Sequence, residues 1–201
     1  MALAPTIALC TAVVWAQALG ADDRLDLMPT LRIAIVLIAA AAATCLEDPN
    51  EPLVDSTPFG RLRRRCLSVA MTGSASLLAA GALVAGAALL SRHSAGSPLP
   101  VGGLLIELAA ACAFGWMLAA GLVAGTTWNN SGVRAAVGVV IAAPFSLAHP
   151  RVADWLWASP GPEWQRTHRH WAIVGIVSII VFLLISTDAA TRPVLTRRRK
   201  T

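Results

Sequence analysis

From Cys66 to Leu90 the chain runs for 25 residues without one Asp, Glu, Lys or Arg. About 20 such residues cover the ~30 Å hydrocarbon core of a bilayer as an α-helix. Lipid offers the backbone no hydrogen-bond partner, so a segment of this kind closes its own bonds as a helix. Five more apolar segments accompany it, at about 2–20, 31–46, 101–124, 133–147 and 171–187. The first is at the short limit for a span, with Pro5 in its first turns, where proline costs little. Only 13% of the residues are charged, against about a quarter in soluble domains. The fold class expected is therefore all-α: a polytopic integral membrane helical bundle of about six transmembrane helices, forming one transmembrane domain.

The net charge of +5 is almost wholly arginine, since Lys200 is the one lysine. It is concentrated in Arg61–Arg65 and Arg197–Lys200. A nucleic-acid binder would not devote most of its length to Ala, Leu, Val and Gly, so these blocks read as topology signals. With six spans both termini share a side, and the basic tail over 188–201 places them in the cytoplasm. The loop over 47–65 and Arg134 fall on that side by parity, and the short polar turn over 21–32, which holds Asp22, Asp23, Asp26 and Arg32, falls outside. The localisation expected is a bacterial plasma membrane, multi-pass.

The loop from Leu46 to Arg65 is the most polar run between two apolar segments, with four acidic and four basic residues. Asp48, Pro49 and Glu51 have the form of a helix N-terminus with a capping box. Thr57 and Pro58 offer a second start. A surface helix over 58–65 is expected to run directly into the third span, with Phe59 and Leu62 at the interface. Glu47, Asp48, Phe59, Arg61, Arg63, Arg64 and Arg65 are the candidate partner-binding residues. The plainer role of such arginines is to fix topology and bind anionic membrane lipids.

Glu107 is the one acid deep inside an apolar segment, and an ionisable group there is a functional candidate. It can hold a cation, accept a proton or pair with an arginine; six residues from the span's start, it can also reach the headgroups. Gly121 and Gly125 form a GxxxG spacing that lets two helices approach closely. Four of the seven tryptophans, Trp155, Trp157, Trp164 and Trp171, fall in or beside the loop over 149–170, as in a segment at the lipid–water interface.

Catalytic chemistry is not written in this chain. No GxSG, HExxH, paired intramembrane aspartates or P-loop occurs. Cys10, Cys45, Cys66 and Cys112 lack metal-ligand spacing and read as small buried hydrophobes. His168 and His170, two apart, do not share a helix face. No metal, cofactor or enzymatic activity is expected.

The layout resembles the membrane permease subunits of bacterial ABC-2-type exporters, and within them a small six-span group from high-GC Gram-positive bacteria. The residues that carry the likeness are Leu46-Glu-Asp-Pro49, Thr57-Pro58 and Arg61–Arg65 after the second span. Trp171 opening the sixth span and Ser186–Arg192 closing it complete the match, with Ala189 where that group has proline. The resemblance implies a permease that pairs with a second permease, as a homo- or heterodimer, and with a separate ATPase subunit that binds the ATP. It places the ATPase contact on Glu47–Arg65, with Arg134 as a second contact. Two other classes share the composition: a non-transporting multi-span accessory or assembly protein, and an intramembrane enzyme dependent on Glu107.

Overall fold

A computed structural model describes residues 3–20, 27–46, 61–90, 100–125, 131–157 and 161–186. Among them the chain forms seven helices and no strand: α1 (Leu3–Gly20), α2 (Met28–Thr44), α3 (Arg61–Leu90), α4 (Val101–Gly125), α5 (Ser131–Ala148), α6 (Pro150–Leu156) and α7 (Trp164–Ser186). The protein is an all-α membrane bundle. Four helices, α3, α4, α5 and α7, are each long and apolar enough to cross a bilayer; α1 and α2 are shorter apolar helices.

Helix ends follow the local chemistry. Pro29 sits in the first turn of α2, where its missing N–H belongs to a group the helix leaves unpaired anyway. The helix therefore starts before Leu31 and takes in Arg32, which the sequence placed in a polar turn. α7 starts at Trp164, seven residues ahead of the expected Trp171, once Gly161 and Pro162 have broken the chain direction. Pro150 opens the short α6 after an extended His149. The described part of the tryptophan-rich stretch expected as a loop is thus α6, a turn at 161–163, and the first two turns of α7.

α4 is the central helix, packed against α2, α3, α5 and α7, while α1 lies against α2 and α3. Its alanines make this possible, because without a hydrophobic drive between helices in lipid, association rests on close contact. A Cβ on Gly175 of α7 would lie 3.3 Å from Cα of Ala110 in α4. One on Gly115 of α4 would lie 3.1 Å from Cβ of Ala43 and 3.3 Å from the Ala39 carbonyl oxygen of α2. Gly121 is different: a Cβ there meets only Ile185 Cδ1, at an ordinary 3.9 Å. Gly125 closes α4. Among the described glycines, Gly115 and Gly175 are those that bring one helix against the backbone of another.

Side-chain bonds fix the relative direction of the helices. Thr30 at the start of α2 donates to Gln17 near the end of α1. Ser68 near the start of α3 donates to the Cys45 carbonyl just past α2, at 3.1 Å. Trp157, after α6, donates to Ser146 at the end of α5, at 2.7 Å. Successive long helices therefore alternate in direction, and the starts of α2, α4 and α7 lie at one end of the bundle. Cys10 and Cys112 are buried, as read from the sequence, whereas Cys45 and Cys66, near helix ends, are half-buried.

Gly115→Val is expected to lower stability by about 1–3 kcal/mol through overpacking. Gly81→Ala, where an added Cβ meets nothing within 4 Å, leaves it unchanged or slightly raised. Thermal unfolding of both variants in the same detergent checks this.

Candidate functional site: a buried charge cluster

Three helix starts converge on one carboxylate. Glu107, the seventh residue of α4, is 1% exposed. Arg32 of α2 grips it with two parallel hydrogen bonds, Nε to Oε2 at 3.2 Å and Nη2 to Oε1 at 3.0 Å. This fork-on-fork geometry is the strong form of an ion pair and one that lysine cannot copy. The third guanidinium nitrogen, Nη1, donates to the Trp157 carbonyl oxygen at 3.0 Å.

His168 of α7 approaches Glu107 from the other side. Its Nε2 lies 3.2 Å from Oε1, close enough for an ion pair but off the axis of a hydrogen bond. Its Nδ1 lies 2.7 Å from the Trp164 carbonyl oxygen, one turn back along α7. Both ring nitrogens thus face oxygens that only accept, an arrangement that a doubly protonated ring satisfies. Glu107 is shared between two basic side chains.

Aromatic rings close the cluster. The Arg32 guanidinium carbon is 5.4 Å from the Trp157 ring centre and 5.7 Å from that of Trp164, within cation–π range. Trp164 packs on His168 with ring centres 4.1 Å apart. Trp157 meets Trp171 edge to face at 5.6 Å, and the Trp171 indole N–H donates to the Leu156 carbonyl at 2.6 Å. Trp157 and Trp164 therefore form a roof over the helix starts. Gly103 makes room for it, since a Cβ there would fall 2.5 Å from His168 Nε2 and 2.6 Å from a Trp164 ring carbon.

Glu107 was visible in the sequence; its partners were not. Arg32 looked like part of a turn, and His168 like part of a loop. The available signal was that each lies one turn inside a helix once Pro29 and Pro162 are read as helix openers. No group of three or more metal-type ligands occurs among the described residues. The cluster's chemistry is a largely desolvated charge network that locks α2, α4 and α7 together.

The other candidates lie elsewhere. Glu47, Asp48 and Phe59 are outside the described residues, as is the tail over 188–201. Arg61 opens α3; Arg63 is exposed, and Arg64 and Arg65 are half-buried. Because α2 and α3 run in opposite directions, these arginines sit at the end of the bundle away from Glu107. Arg134, exposed in the first turn of α5, shares that end.

Compared with protein-family models, with curated proteins and with solved structures, the chain gives no match.

Glu107→Gln or Arg32→Met alone is expected to cost about 3–5 kcal/mol, because each leaves one buried charge without its counterion. The double variant Arg32→Met/Glu107→Leu, which removes both charges, is expected to recover most of that loss. A double-mutant cycle on unfolding in detergent measures the coupling.

Proposed function

We propose that this chain is the membrane permease subunit of an exporter energised by a separate ATPase subunit, the class its sequence layout resembles. The observation that supports this most is the length of α3. Its 30 residues span about 45 Å at 1.5 Å per residue, well beyond the ~30 Å of the hydrocarbon core. Leu67 to Leu90 supplies enough apolar length for the bilayer. The turns carrying Arg61, Arg63, Arg64 and Arg65 then project past it as a rigid extension of a transmembrane helix.

Such an extension is a lever. A partner that grips the basic turns moves α3 as one body, because nothing in the helix between Arg61 and Leu90 is a proline. α3 contacts α1, α2, α4 and α7, so displacement at the arginines reaches most of the bundle. Arg134 at the same end offers a second contact. With six spans and the positive-inside bias, this end and both termini lie in the cytoplasm, where ATP is. ATP binding and hydrolysis belong to the partner, and a second permease copy completes the translocation path.

A second reading has its own observation. The charge cluster of Arg32, Glu107 and His168 is roofed and its ion pair fully formed, as suits a static bundle that presents a binding face and transports nothing. In that case the arginine end of α3 docks a different protein, and the chain is an accessory or assembly subunit.

Affinity purification in mild detergent separates the two. Under the exporter reading a stoichiometric ATPase co-purifies and is lost when Arg61, Arg63, Arg64 and Arg65 are replaced by glutamate. Recovery of the chain without any ATPase sinks that reading and leaves the accessory role.

A further inference from the structure

A lateral groove of about 490 Å³ lies over α4 between α3 and α7, two helices that both pack on α4 and scarcely on each other. Its walls are Gly73 of α3, Ala109, Ala113 and Trp116 of α4, and Ile176 and Ile180 of α7; among the described residues no charged side chain lines it. It is open to lipid, with Ile176 and Ile180 61% and 51% exposed. Its volume falls within the range of about 300–1,000 Å³ usual for small-molecule sites. We infer that this groove binds one uncharged lipophile with a carbonyl oxygen, the chemistry of an isoprenoid quinone, and that this oxygen accepts from the Trp116 indole N–H. The inference concerns binding alone and stands whether the chain transports or assembles.

The first support is an orphaned donor. Trp116 is 6% exposed, and its Nε1 meets no acceptor among the described residues. A buried indole N–H usually finds a partner, and the bilayer core has no water to serve as one. The roof tryptophans follow that rule: Trp157 and Trp171 each donate, at 2.7 and 2.6 Å. Ser76, one turn along α3 from Gly73, repeats the anomaly. It is fully buried, and its Oγ lacks hydrogen-bond geometry, with only the weakly polar Cys112 thiol beside it. To donate, the indole must turn toward the groove that its ring already lines. Gly73, whose Cβ would fall 2.9 Å from Trp116 Cη2, has no side chain to hold the ring back.

The second support is depth, which selects the occupant. The midpoint of α4, Val101–Gly125, is Ala113, and Trp116 lies within one turn of it. Tryptophan favours the membrane interfaces, so an indole here is out of its ordinary place. An indole N–H only donates, so the occupant must bring the acceptor. The ester carbonyls of a phospholipid stay near the headgroups, about 15 Å away at half the core thickness. The carbonyls of a transmembrane helix are spent on its own ladder. A charged ligand finds no counterion on these walls. A neutral molecule with a carbonyl head in the hydrocarbon core and an apolar tail meets every condition.

The test is native mass spectrometry of the full chain in detergent, titrated with phylloquinone, a naphthoquinone on a phytyl tail. Phytane, the hydrocarbon of that tail, is the competitor. One saturable phylloquinone per chain is expected, which excess phytane does not displace. Trp116→Phe keeps the ring and removes the N–H; it is expected to weaken binding about fivefold, the weight of one hydrogen bond. Ala109→Trp fills the groove and abolishes binding; Trp116→Phe, the milder change, decides the matter if that variant fails to fold. Val137→Trp, on the exposed face of α5, leaves binding intact. Absence of saturable binding, equal affinity in Trp116→Phe, or ready displacement by phytane means that the groove holds lipid tails only and overturns the inference. A dimer of the chain that Ala109→Trp dissociates assigns the groove to a second copy and overturns it as well.

Discussion

The bidentate pair between Arg32 and Glu107 is the constraint on which the rest of this bundle depends. Neither charge can be left alone among apolar helices, so wherever α4 puts Glu107, α2 must put Arg32. The two residues are 75 apart in sequence and come from different helices, so their pairing sets the rotation and depth of α2 against α4. His168 extends the same demand to α7. Small residues then let the backbones come as close as the pair requires, with Gly115 against Ala39 and Ala43, and Gly175 against Ala110. Packing supplies the proximity, and the charges supply the register.

The two ends of the bundle are built differently. One end gathers the starts of α2, α4 and α7 under a roof of tryptophans, with indole N–H groups of Trp157 and Trp171 donating to Ser146 and the Leu156 carbonyl. Exposed arginine is found at both ends, with Arg151, Arg166 and Arg169 beside the roof and Arg63 and Arg134 at the opposite end. What sets the ends apart is the tryptophan roof, and the proposed docking role sits on the end without it.

Much of the architecture could be read from hydropathy alone, because lipid leaves the backbone so few choices. Among the described residues each of the six apolar segments falls wholly or largely in a helix, with α4 over Val101–Gly125 almost as expected. What hydropathy could not place was the polar boundary. Arg32 and His168 were assigned to a turn and a loop because a charged or ionisable residue next to an apolar run looks like the end of that run. In the folded protein a counterion on another helix lets each of them move inside. Gly121 shows the reverse error of scale: GxxxG is a local spacing, and which glycine meets a neighbouring backbone depends on where the helices cross. The Glu47–Asp48 and Phe59 part of the polar loop lies outside the described residues, so its reading rests on sequence.

The chain order of the cluster has a consequence for how the protein is made. Synthesis delivers Arg32 first, Glu107 much later, and Trp157, whose carbonyl takes the third guanidinium bond, 125 residues after Arg32. α2 has 17 residues and a cation in its second turn, a poor candidate to commit to the bilayer by itself. Until α4 emerges, Glu107, the carboxylate that grips this cation in the folded protein, is missing. Firm insertion of the second helix is thereby made contingent on the fourth, and closure of the roof on the last. A chain truncated before Glu107 would carry an unfinished membrane helix, the kind of fault that quality-control proteases in a membrane recognise.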